Sequence, residues 1–167
     1  MSILELPAIS RIRRNHGLEH ATLTILSDMK PSLRLSGISH TGGFLILGDV
    51  ETEDLKDAIH QALVRMSNGE HRLAVHPNCG TNMATSGILA GILAWLGFAG
   101  TRNGKDKLNR LPVVITLVTL SLIFSRSLGP LVQERITTSG NPEGLQLVDI
   151  VPFKAGSNLI HRVTTSG

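Results

Sequence analysis

Two histidines and a glutamate stand within one helical turn near the start of the chain, in residues 15–21, NHGLEHA. In a helix, residues three and four positions apart share one face, so His16, Glu19 and His20 would lie together. Two histidines at this spacing can bind one metal ion through their ring nitrogens, and the carboxylate between them can accept a proton from a metal-bound water. The stretch predicts a metal site with His16 and His20 as ligands and Glu19 as the catalytic base.

A structural interpretation of the same stretch competes with the catalytic one. His16 and His20 could instead form hydrogen bonds within a polar patch, with Glu19 as a solvated charge on the helix surface. Short motifs of this kind also occur by chance at an appreciable rate. The spacing alone leaves both interpretations open.

The second stretch with metal-binding residues is 76–82, HPNCGTN, where His76 and Cys79 stand three positions apart. A turn rich in proline, asparagine and glycine lets two such side chains converge on one ion. With His16 and His20 they would give four nitrogen and sulfur ligands around a tetrahedral zinc, the cofactor that we expect. The alternative is a simple turn into the following helix, with Cys79 buried as a small apolar residue.

Composition narrows the class of protein. The chain has 167 residues, only 3% aromatic residues, a net charge of +3 and a single cysteine. The basic residues are scattered among acidic ones, which does not favour a nucleic-acid surface. One cysteine excludes an internal disulfide and fits a reducing compartment or a metal thiolate. No basic region followed by a long apolar core opens the chain, so we expect no cleavable secretory signal.

Two apolar runs indicate a membrane hairpin. No charged residue occurs from Pro77 to Thr101, and residues 85–97 are long enough to cross most of a hydrocarbon core of about 30 Å. The second run, residues 111–124, is short for a full span, so the pair would form a tilted or a partly inserted hairpin. The alternative is a buried helical hairpin of a soluble protein. Small residues in the first run would allow close packing on a membrane-protein partner. They are Ser86, Gly87, Ala90, Gly91 and Ala94.

The remaining segments predict a small α+β domain, because apolar residues recur at helical spacing in some and alternate in others. We expect helices at about 10–28 and 51–66, and strands at 33–38, 43–47, 71–75, 145–151 and 158–163. His60 is expected at a boundary or surface position of its helix, not as a ligand. His161 is expected at the surface of its strand, with an approach to the metal as the alternative. The fold class is then a soluble α+β metal-site domain (1–80), a transmembrane helical hairpin (81–130) and C-terminal strands that return to the first domain's sheet (131–167).

Membrane orientation depends on two opposing arguments. The loop 101–110 carries four basic residues, which by the positive-inside rule favours a cytoplasmic loop. That orientation would require export of about 80 N-terminal residues without a signal, and basic residues also flank the other ends of the two runs. We therefore expect a two-pass protein of the cell membrane with its soluble domain in the cytoplasm.

As a whole, the sequence resembles an uncharacterised family of small two-helix membrane proteins of prokaryotes, found among phototrophic bacteria. The resemblance is carried by an N-H-x-L-E-H-A-T stretch, here residues 15–22, and an H-P-N-C-G-T-N stretch, here residues 76–82, ahead of an apolar hairpin. It implies no activity. The family nevertheless shares both stretches, the same two that supply the proposed metal ligands.

The five residues from His16 to His20 are also similar to the H-x-x-E-H motif of the inverzincin zinc metallopeptidases. This resemblance implies ligand roles for the two histidines and a base role for Glu19. Those enzymes take a downstream glutamate as third ligand, and here Glu51 and Glu70 are the candidates. Their domains are also much larger than the roughly 75 residues available in this chain.

Two functions follow from these patterns. The first is a membrane-anchored zinc hydrolase of the peptidase type, in which Glu19 activates a zinc-bound water. The second is a non-catalytic membrane subunit or assembly factor with a structural zinc site. The ligand number discriminates between them, because a catalytic zinc keeps an open position for water and a structural zinc does not.

Overall fold

A computed structural model describes residues 2–167 and has an α+β fold, as the sequence predicts. It contains four α-helices and a four-stranded antiparallel sheet. In chain order the elements are α1 (Pro7–Met29), β1 (Ser36–His40), β2 (Gly43–Leu47), α2 (Thr52–Ser67), α3 (Gly80–Phe98), α4 (Gly104–Val132), β3 (Gln146–Ala155) and β4 (Asn158–Ser166). Short 3-10 helices cover Ile3–Glu5 and His71–Ala74, and a π-helix covers Gln133–Thr137.

The sheet joins both ends of the chain, in the strand order β1-β2-β4-β3. β1 and β2 form the predicted hairpin, and β4 pairs with β2 along its length, from Gly43 opposite Thr164 to Leu47 opposite Ile160. Gly43 has a φ of 142°, and a Cβ there would lie 3.0 Å from the carbonyl carbon of Val163. Glycine is required at this position because β4 approaches so closely. The predicted return of the C-terminal strands to the sheet is confirmed.

The core of this part of the chain lies between the sheet and two helices. α1 contacts β1, β2 and α2, and α2 also contacts β3. Apolar side chains recur at helical spacing on α2, and its buried residues include Leu55, Ile59 and Met66. The sheet contributes Phe44, Ile46 and Val163, all fully buried. This packing holds α1, which carries the histidine stretch, against the sheet.

The predicted third strand at 71–75 is wrong, because residues 71–74 form a 3-10 helix. The backbone N–H of Leu73 donates to the carbonyl of Glu70, and that of Val75 donates to the carbonyl of Arg72. These local bonds three residues apart replace the ladder that a strand would need. The segment therefore turns beside α1 instead of widening the sheet.

The two apolar runs form a helical hairpin, α3 and α4, and both helices are long and apolar enough to cross a membrane. The helices pack through small residues: a Cβ on Gly97 would lie 2.7 Å from Val114 Cγ2, and the Ser86 hydroxyl donates to Ser125 Oγ at 2.7 Å. Large apolar side chains such as Trp95 and Phe124 are exposed. α4 is longer than its predicted run because Asn103 caps its first turn, its Oδ1 accepting from the Asp106 N–H.

The described chain divides into two compact units. One contains the residues up to His76 together with Glu134–Gly167, and the other contains Pro77–Gln133. The first holds the sheet, α1 and α2, and the second holds the hairpin.

Candidate metal centre

The histidine stretch lies in the middle of α1, where polar residues are buried. His20 and Glu19 are 2% and 3% exposed, and Asn15 is fully buried. Asn15 is held at both ends of its amide: its Nδ2 donates to the His40 carbonyl at 2.9 Å, and its Oδ1 accepts from the Thr165 hydroxyl at 2.7 Å. Buried polar side chains require such partners. These bonds fix the start of the stretch to the sheet.

His16 and His20 are neighbours on one face of α1, as the spacing predicts. Their rings meet edge to face, with centroids 4.3 Å apart. The Nδ1 of His16 lies 2.9 Å from the Thr137 carbonyl oxygen, and the Nδ1 of His20 lies 2.8 Å from that of Ala74. A carbonyl only accepts, so each Nδ1 carries the proton and donates it. In the neutral ring the lone pair is then on Nε2, the nitrogen that can bind a metal.

The two residues of the second stretch, His76 and Cys79, lie between the 3-10 helix His71–Ala74 and the start of α3. The His76 ring is tilted beside His20, with centroids 5.7 Å apart. Cys79 is buried and is the N-cap of α3, where its Sγ accepts from the Thr81 N–H at 3.4 Å.

Among the described residues, His16, His20 and Cys79 form a group that could hold a metal ion, because their ligand atoms all lie within 4.8 Å of one another. The donor set of two imidazoles and one thiolate is one that zinc accepts. Bond lengths of about 2.1 Å to nitrogen and 2.3 Å to sulfur place tetrahedral zinc ligands roughly 3.6 Å apart. His76 is adjacent to His20 but is not in this group.

Glu19 is packed against β1. The Ser39 hydroxyl donates to its Oε2, and a Cβ on Gly37 would lie 2.5 Å from its Cδ. The carboxylate is thus held between a hydroxyl and a strand backbone that only glycine leaves open. Glu19 is not in the group that could hold a metal. Its role as a catalytic base stays a prediction.

The His16 ring is oriented by residues that the sequence did not identify. Arg13 Nη2 donates to the carbonyls of Arg135 and Thr138, and the Ser139 N–H donates to the Arg13 carbonyl at 2.9 Å. Together these bonds hold the 135–139 segment on α1, and with it the Thr137 carbonyl. Arginine is suited to this role because its guanidinium offers several donors in a fixed plane.

Gly17 provides the close approach that both orienting segments need. A Cβ at this position would lie 3.1 Å from the carbonyl carbon of Ser139 and 3.2 Å from Ala74 Cβ. The carbonyls that accept from His16 and His20 belong to these same two segments. The only sequence signal for this contact is a glycine in the middle of a helix, where glycine costs about 1 kcal/mol relative to alanine.

Two other histidines were predicted to lie at the surface. His60 is exposed, as predicted. The prediction for His161 is wrong, because its side chain is fully buried and its Nε2 lies 3.1 Å from Thr52 Oγ1. Burial lowers the pKa of His161 below its ordinary value of 6.5. His161 lies on the face of β4 that also carries the buried Val163 and Thr165, and it is not in the group that could hold a metal.

Fold and site together define a class of protein: an α+β unit with two adjacent histidines on one helix, the first half-buried and the second buried, interrupted by a helical hairpin apolar enough for a membrane. The chain belongs to the family described as Domain of unknown function (DUF6391), which it matches over residues 11–150. The matched range includes both histidine-containing stretches, residues 15–21 and 76–82, and the whole hairpin. The expected membership of an uncharacterised family is thereby confirmed.

A similar protein of Picosynechococcus sp. is described as uncharacterised. It is 34% identical over 137 residues, which is 77% of this chain and 66% of the relative. The chain thus spans just under two thirds of the relative's own length. No solved structure matches the chain.

Proposed function

We propose that this protein is a membrane-anchored zinc protein whose metal has a structural, non-catalytic role. The carrying observation is that His16 and His20 both donate Nδ1–H to backbone carbonyls, at 2.9 and 2.8 Å. Metal-binding histidines almost always donate their second ring nitrogen in this way, which fixes the tautomer and the direction of the lone pair. Both rings therefore keep Nε2 as the nitrogen with the lone pair, which suits two ligands of one metal ion.

In this proposal, zinc is bound by His16 Nε2, His20 Nε2 and Cys79 Sγ, and His76 supplies the fourth ligand. The proximity of the His76 ring to that of His20, with centroids 5.7 Å apart, supports its inclusion. Four protein ligands leave no position for water, which is the structural form of a zinc site. The ion would fix the middle of α1 to the segment that precedes the first apolar helix.

A zinc hydrolase is the second candidate. It is favoured by the group of three ligands, because His16, His20 and Cys79 would leave a fourth position for water. In that case Glu19 would act as base, and the motif similarity to inverzincins would extend to chemistry. The bond from Ser39 to Glu19 and the close packing of Gly37 support the structural role instead, since both hold the carboxylate against β1.

Membrane anchoring through α3 and α4 is part of the proposal. It is supported by the length and apolar character of both helices and by exposed large side chains along them. We further propose that the first unit is cytoplasmic. A partner on the α3 face is a proposal as well: Gly87 and Gly91 are exposed there, whereas Ser86, Ala90 and Ala94 are half-buried.

Metal content of the purified protein in detergent tests the proposal. We expect about one zinc per chain by plasma mass spectrometry, retained in the control variant His60→Ala and lost in His20→Ala. For a closed site, Cys79→Ser and His76→Ala should each lower the zinc content. Absence of zinc and of any other bound transition metal from the wild type, after supplementation, would contradict the proposal.

The Glu19→Gln variant separates the two candidates. A structural site predicts that zinc content and affinity change little, and that neither protein hydrolyses peptides above the metal-free background. A hydrolase predicts normal zinc content with hydrolysis in the wild type alone. Zinc retained without His76, together with hydrolysis that Glu19→Gln abolishes, would replace the structural role with the catalytic one.

Membrane anchoring has its own test. After alkaline carbonate washing of cell membranes, the full chain should stay in the pellet. Recovery of the chain in the soluble fraction would contradict the anchor while leaving the metal measurement valid.

A further inference from the structure

The second unit contains an open groove between its two helices, close to the start of α3. Its volume is about 650 Å³, within the ~300–1,000 Å³ typical of small-molecule sites. Apolar groups line most of it, among them Met83, Gly87 and Leu122, and Arg126 lies on its edge. The hydroxyls that reach the groove are already bonded, since Ser86 donates to Ser125 and Ser125 donates to the Leu122 carbonyl.

Arg126 is unusual for its place in the chain. It is the only charged residue between Leu111 and Gln133. Its side chain is exposed, and no acceptor for its guanidinium is recorded in the part of the chain that the structure describes. A guanidinium matches a phosphate well because it can donate two parallel hydrogen bonds. A charge retained beside an apolar groove points to an occupant that is apolar at one end and anionic at the other.

The depth of Arg126 agrees with such an occupant. Arg126 lies 16 residues beyond Arg110, which ends the basic loop, and this separation corresponds to about 24 Å along a helix. In a hydrocarbon core of about 30 Å, Arg126 would then be near the opposite interface, where an arginine can extend its head to the phosphate level. The groove would be open to the acyl chains below it.

We infer that this groove binds one anionic phospholipid, with the phosphate on Arg126 and an acyl chain between α3 and α4. The inference rests on the membrane anchoring proposed above and is independent of zinc. A lipid is favoured over free phosphate because one guanidinium with no second cation in the groove binds inorganic phosphate poorly in water, whereas the apolar lining adds affinity for a chain.

Native mass spectrometry on the full chain from nanodiscs tests the inference. The discs contain phosphatidylcholine with a minor fraction of phosphatidylglycerol. We expect the wild type to retain one phosphatidylglycerol, and Arg126→Gln to lose this preference by about tenfold or more, as for a lost charge-assisted hydrogen bond. The matched control Arg110→Gln, at the other end of the same helix, should keep it.

A second pair of variants tests the groove itself. A Cβ on Gly87 or on Gly91 meets no atom within 4 Å, so a side chain can start from either position without a backbone clash. Gly87→Leu would fill the groove and should abolish lipid retention, whereas Gly91→Leu lies outside it and should not. Unchanged retention in Gly87→Leu or Arg126→Gln would overturn the inference.

Other occupants give different outcomes, and each would overturn the inference. Displacement of the lipid by excess inorganic phosphate would indicate an anion site alone. A protein partner that copurifies in place of the lipid, and is lost equally in Gly87→Leu and Gly91→Leu, would indicate a helix-packing face. Failure of membrane anchoring is separate, because it appears in the carbonate wash before any lipid is measured.

Discussion

Replacement of Gly17 by alanine is expected to weaken zinc binding without touching a ligand. The new Cβ would lie too close to the Ser139 carbonyl, 3.1 Å from its carbon, and 3.2 Å from Ala74 Cβ. Both segments would have to move away from α1. They carry the carbonyls of Thr137 and Ala74, which hold the rings of His16 and His20.

The change in the free energy of unfolding is the difference between a gain in helix propensity and a cost of overpacking. Alanine favours the helix interior by about 1 kcal/mol over glycine. Overpacking costs about 1–3 kcal/mol, and the upper end applies because a backbone carbonyl, not a flexible side chain, must give way. We therefore expect a net loss of about 2 kcal/mol in the free energy of unfolding. Displacement of groups that orient ligands typically costs 10- to 100-fold in metal affinity, which we expect for zinc.

Competition with a chromophoric chelator measures the zinc affinity, and urea unfolding of the metal-free protein in detergent measures the stability. Gly91→Ala is the matched control, because its Cβ meets nothing within 4 Å on an exposed helix face. It should leave zinc affinity unchanged and stability equal or slightly higher. Wild-type zinc affinity in Gly17→Ala, with unchanged or increased stability, would refute the proposed orientation of the rings by backbone carbonyls.

Three further substitutions probe other parts of the first unit. Gly37→Ala should displace the Glu19 carboxylate from β1 and destabilise the protein by about 1–3 kcal/mol in urea unfolding; wild-type stability would mean that the carboxylate is not lodged there. Arg13→Gln should lower zinc affinity by about tenfold in chelator competition, because the segment that orients His16 loses its anchor; unchanged affinity would exclude that role. Burial lowers the pKa of His161 below 6.5. Below that pH the unfolded chain therefore binds a proton that the native state does not. The free energy of unfolding should fall with falling pH, by up to about 1.4 kcal/mol per pH unit. In the metal-free protein this dependence should be smaller in His161→Phe when unfolding is measured between about pH 5 and 7, and equal slopes in the two proteins would contradict it.

The part of the site that depends on local spacing could be predicted from sequence. His16 and His20 lie on one helical face because a helix of 23 residues forms across the stretch, and its length follows from the lack of any internal proline after Pro7. Long apolar runs likewise indicate helices whatever surrounds them. Both features depend only on residues that are close together in the sequence.

Features that depend on distant segments could not be predicted. The carbonyls of Thr137 and Ala74 are 121 and 54 residues away from the histidines they orient, and a carbonyl carries no sequence signal. The burial of His161 depends on which face of β4 is covered, and its contact Thr52 lies 109 residues away in sequence. The 3-10 helix at 71–74 has the apolar alternation of a strand but lacks a neighbouring strand to pair with.

The pairing of β2 with β4 has a consequence for how the protein is made. Residue 43 pairs with residue 164, so the sheet cannot close until the ribosome has synthesised the hairpin and the strands beyond it. Until then Phe44 and Ile46 lack β4, and β2 presents an open edge that can pair with other chains. Contacts so far apart in sequence also form slowly. Early insertion of α3 and α4 into a bilayer would bring the two ends of the sheet to the same side and shorten that exposed interval, so delivery to the membrane would act as a folding aid for the unit outside it.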